Sequence, residues 1–346
     1  MTTRRAFIAA GAAALALPAA AAQRAASRAA PPGKAPRLKA GDVVGLVEPA
    51  SAINDPLDLP MVEEVIRAMG LVPKRGAHVG QRFGYLAGDD QARAADINAM
   101  YADPDVKAVF AVRGGWGCAR LLPLLDYRTI AANPKLLIGY SDITALHMAF
   151  AARAGFPTIH GPVATSAWGK QSWEPFRAMA FEGATPTYRN PTGSEDRLVQ
   201  RAWRTRTIRG GRATGRLLGG NLTVLTALLG SPYLPDFTGA ILFLEDVEEG
   251  EYRIDRMLTS LKLAGILGRV KGVVFGQCTK CQSPGPSYGG FTLSQVLQQH
   301  LEPLGVPVYE GGFFGHITDQ FSLPEGGLVE MDADAATIRL VEPVVV

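Results

Sequence analysis

Leu136-Leu137-Ile138-Gly139-Tyr140-Ser141-Asp142-Ile143-Thr144 decides how this chain folds. An apolar run after Pro134 leads into a serine and then into a helix predicted over 142–154, which stops at Gly155. A short apolar run followed directly by helical spacing is the repeating unit of a parallel α/β sheet. The rhythm recurs on both sides. Runs at 43–47, 106–112 and 158–160 read as strands, and 61–69, 89–101 and 119–125 as helices. After 168 the pattern weakens. It returns at Gly215, with predicted helices at 222–229, 252–264 and 293–301. Strands are predicted at 240–244, 270–275 and 306–309, and a last one over 337–346. This order predicts an α/β fold with helices on both faces of a parallel sheet. It also predicts domains over 37–168 and 209–346, joined by a connection at 169–208.

Composition narrows the function. The 346 residues are 47% hydrophobic and 19% charged, enough to bury a sizeable core. The net charge of +3 has no basic cluster behind it in the body, which argues against a nucleic-acid partner. Residues 1–22 read as a signal peptide. Arg4-Arg5 precede an uncharged alanine-rich run and an Ala20-Ala21-Ala22 cleavage site. The run is too short to span a bilayer, and Thr3-Arg4-Arg5-Ala6-Phe7-Ile8 fits the twin-arginine export pattern. Residues 23–36 then read as a flexible lead, and the mature chain as periplasmic, with no membrane attachment. In an oxidising compartment Cys278 and Cys281 can pair or stay inert. Zinc would need a second pair of ligands.

A strand-to-helix turn lifts a serine hydroxyl off the carboxyl edge of a sheet and turns the next N–H groups toward whatever it attacks. Ser141 is therefore the nucleophile candidate, although Ser141 or Asp142 can equally serve as a helix N-cap. Five histidines could supply the base: His78, His147, His160, His300 and His316. His316 stands out because Phe313-Phe314-Gly315-His316 is a glycine-bounded loop after a predicted strand. Glu245 closes the strand at 240–244 and can orient a histidine, or belong to an acidic loop with Asp246, Glu248 and Glu249. Arg113-Gly114-Gly115-Trp116-Gly117 exposes backbone N–H groups, suited to an oxyanion hole or a carboxylate cradle, and lacks a nucleotide-binding pattern. Cys118 follows at a helix start, where a thiolate is favoured, and is the rival nucleophile.

Together, Arg113-Gly114-Gly115-Trp116-Gly117, Gly139-Tyr140-Ser141-Asp142-Ile143-Thr144, Gly219-Gly220-Asn221-Leu222, Leu244-Glu245-Asp246 and Gly315-His316 resemble the LD-carboxypeptidases. This is the murein tetrapeptide carboxypeptidase family of serine peptidases, which also contains microcin C self-immunity hydrolases. The resemblance runs from Gly41 to about Pro343. Trp116 stands where tyrosine is common. The resemblance implies a Rossmann-like N-terminal domain and a smaller mixed-β C-terminal domain with the active site between them, and a homodimer. It implies Ser141, Glu245 and His316 as the catalytic triad, acting on a murein-derived peptide without metal or cofactor. The Gly115 and Asp142 N–H groups are expected to form the oxyanion hole, and Arg113 is the candidate for the substrate carboxylate or, equally, a surface or interdomain ion-pair residue. A related amidase acting on a peptide-nucleotide conjugate, or a murein-binding protein without activity, are the competing expectations.

Overall fold

The computed structural model describes residues 33–346 apart from Pro56, residues 193–197, Arg201 and residues 282–289. The predicted signal segment and most of the lead lie outside the described residues. Five parallel strands build the first sheet: Val43–Val47 (β1), Val72–Arg75 (β2), Val106–Ala111 (β3), Leu136–Gly139 (β4) and Thr158–His160 (β5). Their order, β2-β1-β3-β4-β5, reverses direction between β1 and β3. Open α/β sheets bind ligands in the crevice above such a switch point.

Strands β1, β3 and β4 are buried on both faces, and their side chains alternate between two cores. Val109, Ala111 and Leu137 join one cluster; Ala108, Phe110, Leu136 and Ile138 join the other. This is why they read as continuous apolar runs. β2 is VPKR, largely exposed at the sheet edge, so no apolar pattern marks it.

The second sheet is mixed. Its centre is parallel: Arg212–Asn221 (β8), Ile241–Val247 (β9), Gly272–Thr279 (β10) and Val308–Glu310 (β11). Antiparallel strands flank it: Thr187–Arg189 (β6), Leu328–Asp332 (β13) and Thr337–Leu340 (β14) on one side, and Arg206–Arg209 (β7) on the other. Stretch 169–208 contains the helix Lys170–Ala180, β6 and all but the last residue of β7. Leu323–Glu325 (β12), far along the chain, crosses back to pair antiparallel with β5 of the first sheet.

Both hydrophobic clusters take residues from both sheets. One unites Val109 and Leu146 with Leu242 and Leu258; the other unites Phe110 and Ile138 with Phe243 and Val274. Polar ties reinforce the join. The Asn221 N–H donates to Thr144 Oγ1 at 3.0 Å, and a Cβ on Gly220 would lie 2.5 Å from that hydroxyl. Two elements that carry site residues thus meet at van der Waals distance, which explains the glycine. Among the described residues no helix is long and apolar enough to cross a membrane.

Candidate active site

Ser141 follows β4 on a single 3-10 turn, Ser141–Ile143, and the helix Thr144–Arg153 begins only after it. Its φ of 65° places a non-glycine residue in the left-handed region. Such strain persists only where the surroundings impose it, and is common at functional sites. The capping alternative does not hold, because neither the turn nor the helix has a side-chain cap. The serine hydroxyl instead meets His316 Nε2 at 2.9 Å.

The other face of that imidazole is held by Glu245, whose Oε2 lies 2.8 Å from His316 Nδ1. Glu245 is fully buried on β9, while His316 keeps 18% of its side chain exposed. One nitrogen is therefore fixed from inside and the other is open to the reacting groups. Burial pulls the His316 pKa down. The hydrogen bond and charge of Glu245, with smaller contributions from Asp246 and Glu248, outweigh it and leave His316 above the ordinary histidine value. Thr279 secures the loop from behind by donating its hydroxyl to the His316 carbonyl at 2.8 Å. A Cβ on Gly315, at φ 117°, would lie 3.0 Å from that of Glu245, so only glycine lets the loop approach β9. The ring of Tyr140, 4.9 Å between centroids, packs against the imidazole.

The other histidines are engaged elsewhere or sealed. His78 meets Asp96, and His300 meets Asp255. His147 is buried between Thr158 Oγ1 and the Gly139 carbonyl, and burial pulls its pKa down to about 4. His160 is fully buried, with no partner for either ring nitrogen among the described residues.

Asp246 points away from its chain neighbour. Its carboxylate accepts from Asn221 Nδ2 at 3.1 Å and from the Thr223 N–H and hydroxyl at 3.0 and 2.9 Å. Burial and then the charge of Glu245 push its pKa up to about 6. Sequence pattern did not reveal this Asn221–Thr223–Asp246 network. Its one signal was the Gly219-Gly220-Asn221 stretch that closes β8.

The glycine loop lies beside the nucleophile, since a Cβ on Gly114 would sit 3.0 Å from that of Ser141. Gly115 at φ 114° and Gly117 at φ 135° occupy backbone conformations that L side chains rarely adopt. Arg113 is half-buried and donates from Nη1 to the Ala52 carbonyl at 2.8 Å. The Asp142 carboxylate turns away from the cleft and accepts the Cys118 N–H at 2.8 Å. Cys118 is not the exposed thiolate its place at a helix start suggested. It is fully buried, and burial followed by the Asp142 charge holds its pKa well above the ordinary thiol value. Cys278 and Cys281 form a disulfide at the end of β10.

A cleft of about 310 Å³ opens at His316, lined by Tyr140, Trp168, Ser166 and Asp319 among others. A serine hydroxyl, an imidazole and a buried carboxylate in sequence, beside a glycine-rich loop and an open cleft, form an acyl-transfer arrangement.

Comparison with known proteins agrees. The LD-carboxypeptidase N-terminal domain family matches residues 44–161, and the LD-carboxypeptidase C-terminal domain family matches residues 214–331. The murein tetrapeptide carboxypeptidase of Pseudomonas aeruginosa is 35% identical over 303 residues, covering 82% of this chain and 91% of that protein. The solved muramoyltetrapeptide carboxypeptidase of Oxalobacter formigenes superimposes with a TM-score of 0.73 at 30% identity, covering 86% of this chain and 97% of that one. A structure of the microcin C7 self-immunity protein MccF with glutamyl sulfamoyl guanosine gives 0.81 at 26% identity, covering 91% of this chain and all of that one.

Proposed function

This chain belongs to the LD-carboxypeptidase family of serine peptidases, and from that premise we propose that it removes the terminal D-alanine from murein tetrapeptides through an acyl-enzyme. The relay from Ser141 Oγ through His316 to the buried Glu245 carries this reading. His316 Nε2 takes the hydroxyl proton as Oγ attacks the carbonyl of the L,D bond. Glu245 holds the imidazole and stabilises its charged form. The oxyanion is received by the Gly115 and Asp142 N–H groups, and losing one such donor typically costs about 10²–10³ in rate. His316 then protonates the departing amine, and water, deprotonated by the same imidazole, releases the acyl group. Arg113, beside the glycine loop, attracts the substrate carboxylate.

A second reading draws on the likeness to MccF and on Trp168, an aromatic face on the cleft wall that can stack on a base. One panel separates the two. The protein is incubated with a murein tetrapeptide and with an aminoacyl sulfamoyl adenosine, and D-alanine and the free amino acid are followed by mass spectrometry. D-Alanine release alone supports the first reading. Cleavage of the nucleoside conjugate alone overturns it.

The proposal extends to place and assembly. Arg4-Arg5 and Ala20-Ala21-Ala22 support export to the periplasm by the twin-arginine route, and the family resemblance supports a homodimer. A mature form beginning near Gln23 outside the cytoplasmic membrane is expected. An intact Met1 or Thr2 terminus in the cytoplasm would contradict export.

A further inference from the structure

We propose that Ser51 is a positioning residue that sets the orientation of the oxyanion-hole peptide, an inference that rests on the reading of Ser141 and Gly115 given above. Ser51 sits just past β1, across the switch point from the glycine loop that follows β3. It grips that loop twice. Its N–H donates to the Gly114 carbonyl at 3.4 Å, and its Oγ accepts the Trp116 N–H at 3.1 Å. The next residue adds a third tie, since the Ala52 carbonyl accepts from Arg113 Nη1 at 2.8 Å.

The consequence follows from peptide geometry. In a planar trans peptide the carbonyl of one residue and the N–H of the next point in opposite directions. With the Gly114 carbonyl turned toward Ser51, the Gly115 N–H is turned away from it. Gly114 itself packs on Ser141. Two glycines in succession would otherwise let this peptide flip at little cost. The contact is close, because a Cβ on Gly115 would lie 2.3 Å from Ser51 Oγ. Ser51 is itself well anchored. Ala50 and Ala52 on either side are buried, and the Ala52 N–H donates to the Tyr85 carbonyl at 3.1 Å. The far end of the loop is pinned separately, by Asp142 on the Cys118 N–H and by Arg93 Nη1 on the Gly117 carbonyl at 3.1 Å. The serine hydroxyl holds the Gly115–Trp116 peptide, so it restrains Gly115 from the side opposite the backbone tie on the Gly114 carbonyl, and Ser51→Ala removes that restraint while leaving the backbone tie in place.

The test is steady-state kinetics on one murein tetrapeptide, with thermal melting, for the parental enzyme and for Ser51→Ala, Ser51→Thr and Ser141→Ala. Misplacing a catalytic group by about 1 Å can cost about 10² in rate. Ser51→Ala is expected to lower kcat about 10- to 100-fold, with KM within about threefold and an unchanged melting temperature. Ser51→Thr, which keeps the hydroxyl, is expected to recover most of the loss. If Ser51→Ala keeps kcat within about twofold of parental, the positioning role is overturned. A loss seen only as a raised KM or a lowered melting temperature overturns it as well. Ser141→Ala distinguishes this from failure of the underlying reading: near-parental turnover there removes the nucleophile assignment, and the role of Ser51 with it.

Discussion

Glu245 and Asp246 are chain neighbours on β9 whose carboxylates serve opposite faces of the strand. The first holds His316 and the second holds Asn221 and Thr223. A strand alternates its side chains by construction, so the choice between two adjacent acids is made by register alone. The two substitutions should therefore separate cleanly. Glu245→Gln keeps the shape but loses the stabilised imidazolium, and kcat should fall on the order of 10⁴, the size of the equivalent amide swap in a serine protease. Asp246→Asn should fall far less. Rates for both variants on one tetrapeptide, with circular dichroism as a folding check, decide it. A crippled Asp246→Asn beside a normal Glu245→Gln would make Asp246 the orienting acid.

The pH dependence has a definite sign. General-base catalysis needs neutral His316, so activity is present above its pKa and lost as pH falls through it. Because that pKa is raised in the folded protein, the acidic limb of kcat/KM should lie above the ordinary histidine value of 6.5. Glu245 is the main source of the rise and burial opposes it. In whatever residual activity Glu245→Gln retains, the limb should move to lower pH. A limb that moves to higher pH would contradict this balance.

Folding depends on glycine where the two central strands of the second sheet pair. Gly219 lies at φ 157°, and a Cβ there would meet the Phe243 carbonyl at 1.8 Å. Gly219→Ala must push β8 from β9 and should cost at least about 3 kcal/mol, combining steric overlap with backbone strain. Urea denaturation measures it; a change under about 1 kcal/mol would show that the strands can separate freely.

The Cys278–Cys281 disulfide closes a four-residue turn that contains Thr279, which holds the His316 carbonyl. So short a loop removes little chain entropy, and replacing both cysteines by serine should cost about 2 kcal/mol. The same double variant should lower kcat more than it raises KM, because the turn it loosens holds, through Thr279, the loop that carries the base. Unchanged kcat would show that Thr279 alone suffices.

What could be read from the sequence follows the physics of burial. β1, β3, β4 and β9 declared themselves because strands buried on both faces must be apolar throughout. Ser141 and Glu245 were candidates as polar residues at the ends of such runs, each with a bland alternative, and the family resemblance singled them out. β2 was silent because an edge strand such as VPKR meets water. The helix Lys170–Ala180 was masked by Pro175 inside it. β12 spans only three residues and takes its meaning from a partner more than 160 residues earlier. The burial of Cys118 was silent for a related reason. A helix start favours a thiolate only where water reaches it, and no local pattern revealed that this side chain turns into the core. Ser51 carried no signal, since its hydroxyl acts on a loop more than 60 residues away.

The central claim is that Ser141 attacks the substrate. The most direct measurement is D-alanine released per minute from a defined murein tetrapeptide by parental protein and by Ser141→Ala, both shown to be folded. The account predicts steady release by the parental protein and loss of almost all of it in the variant. Near-parental release by folded Ser141→Ala would contradict it.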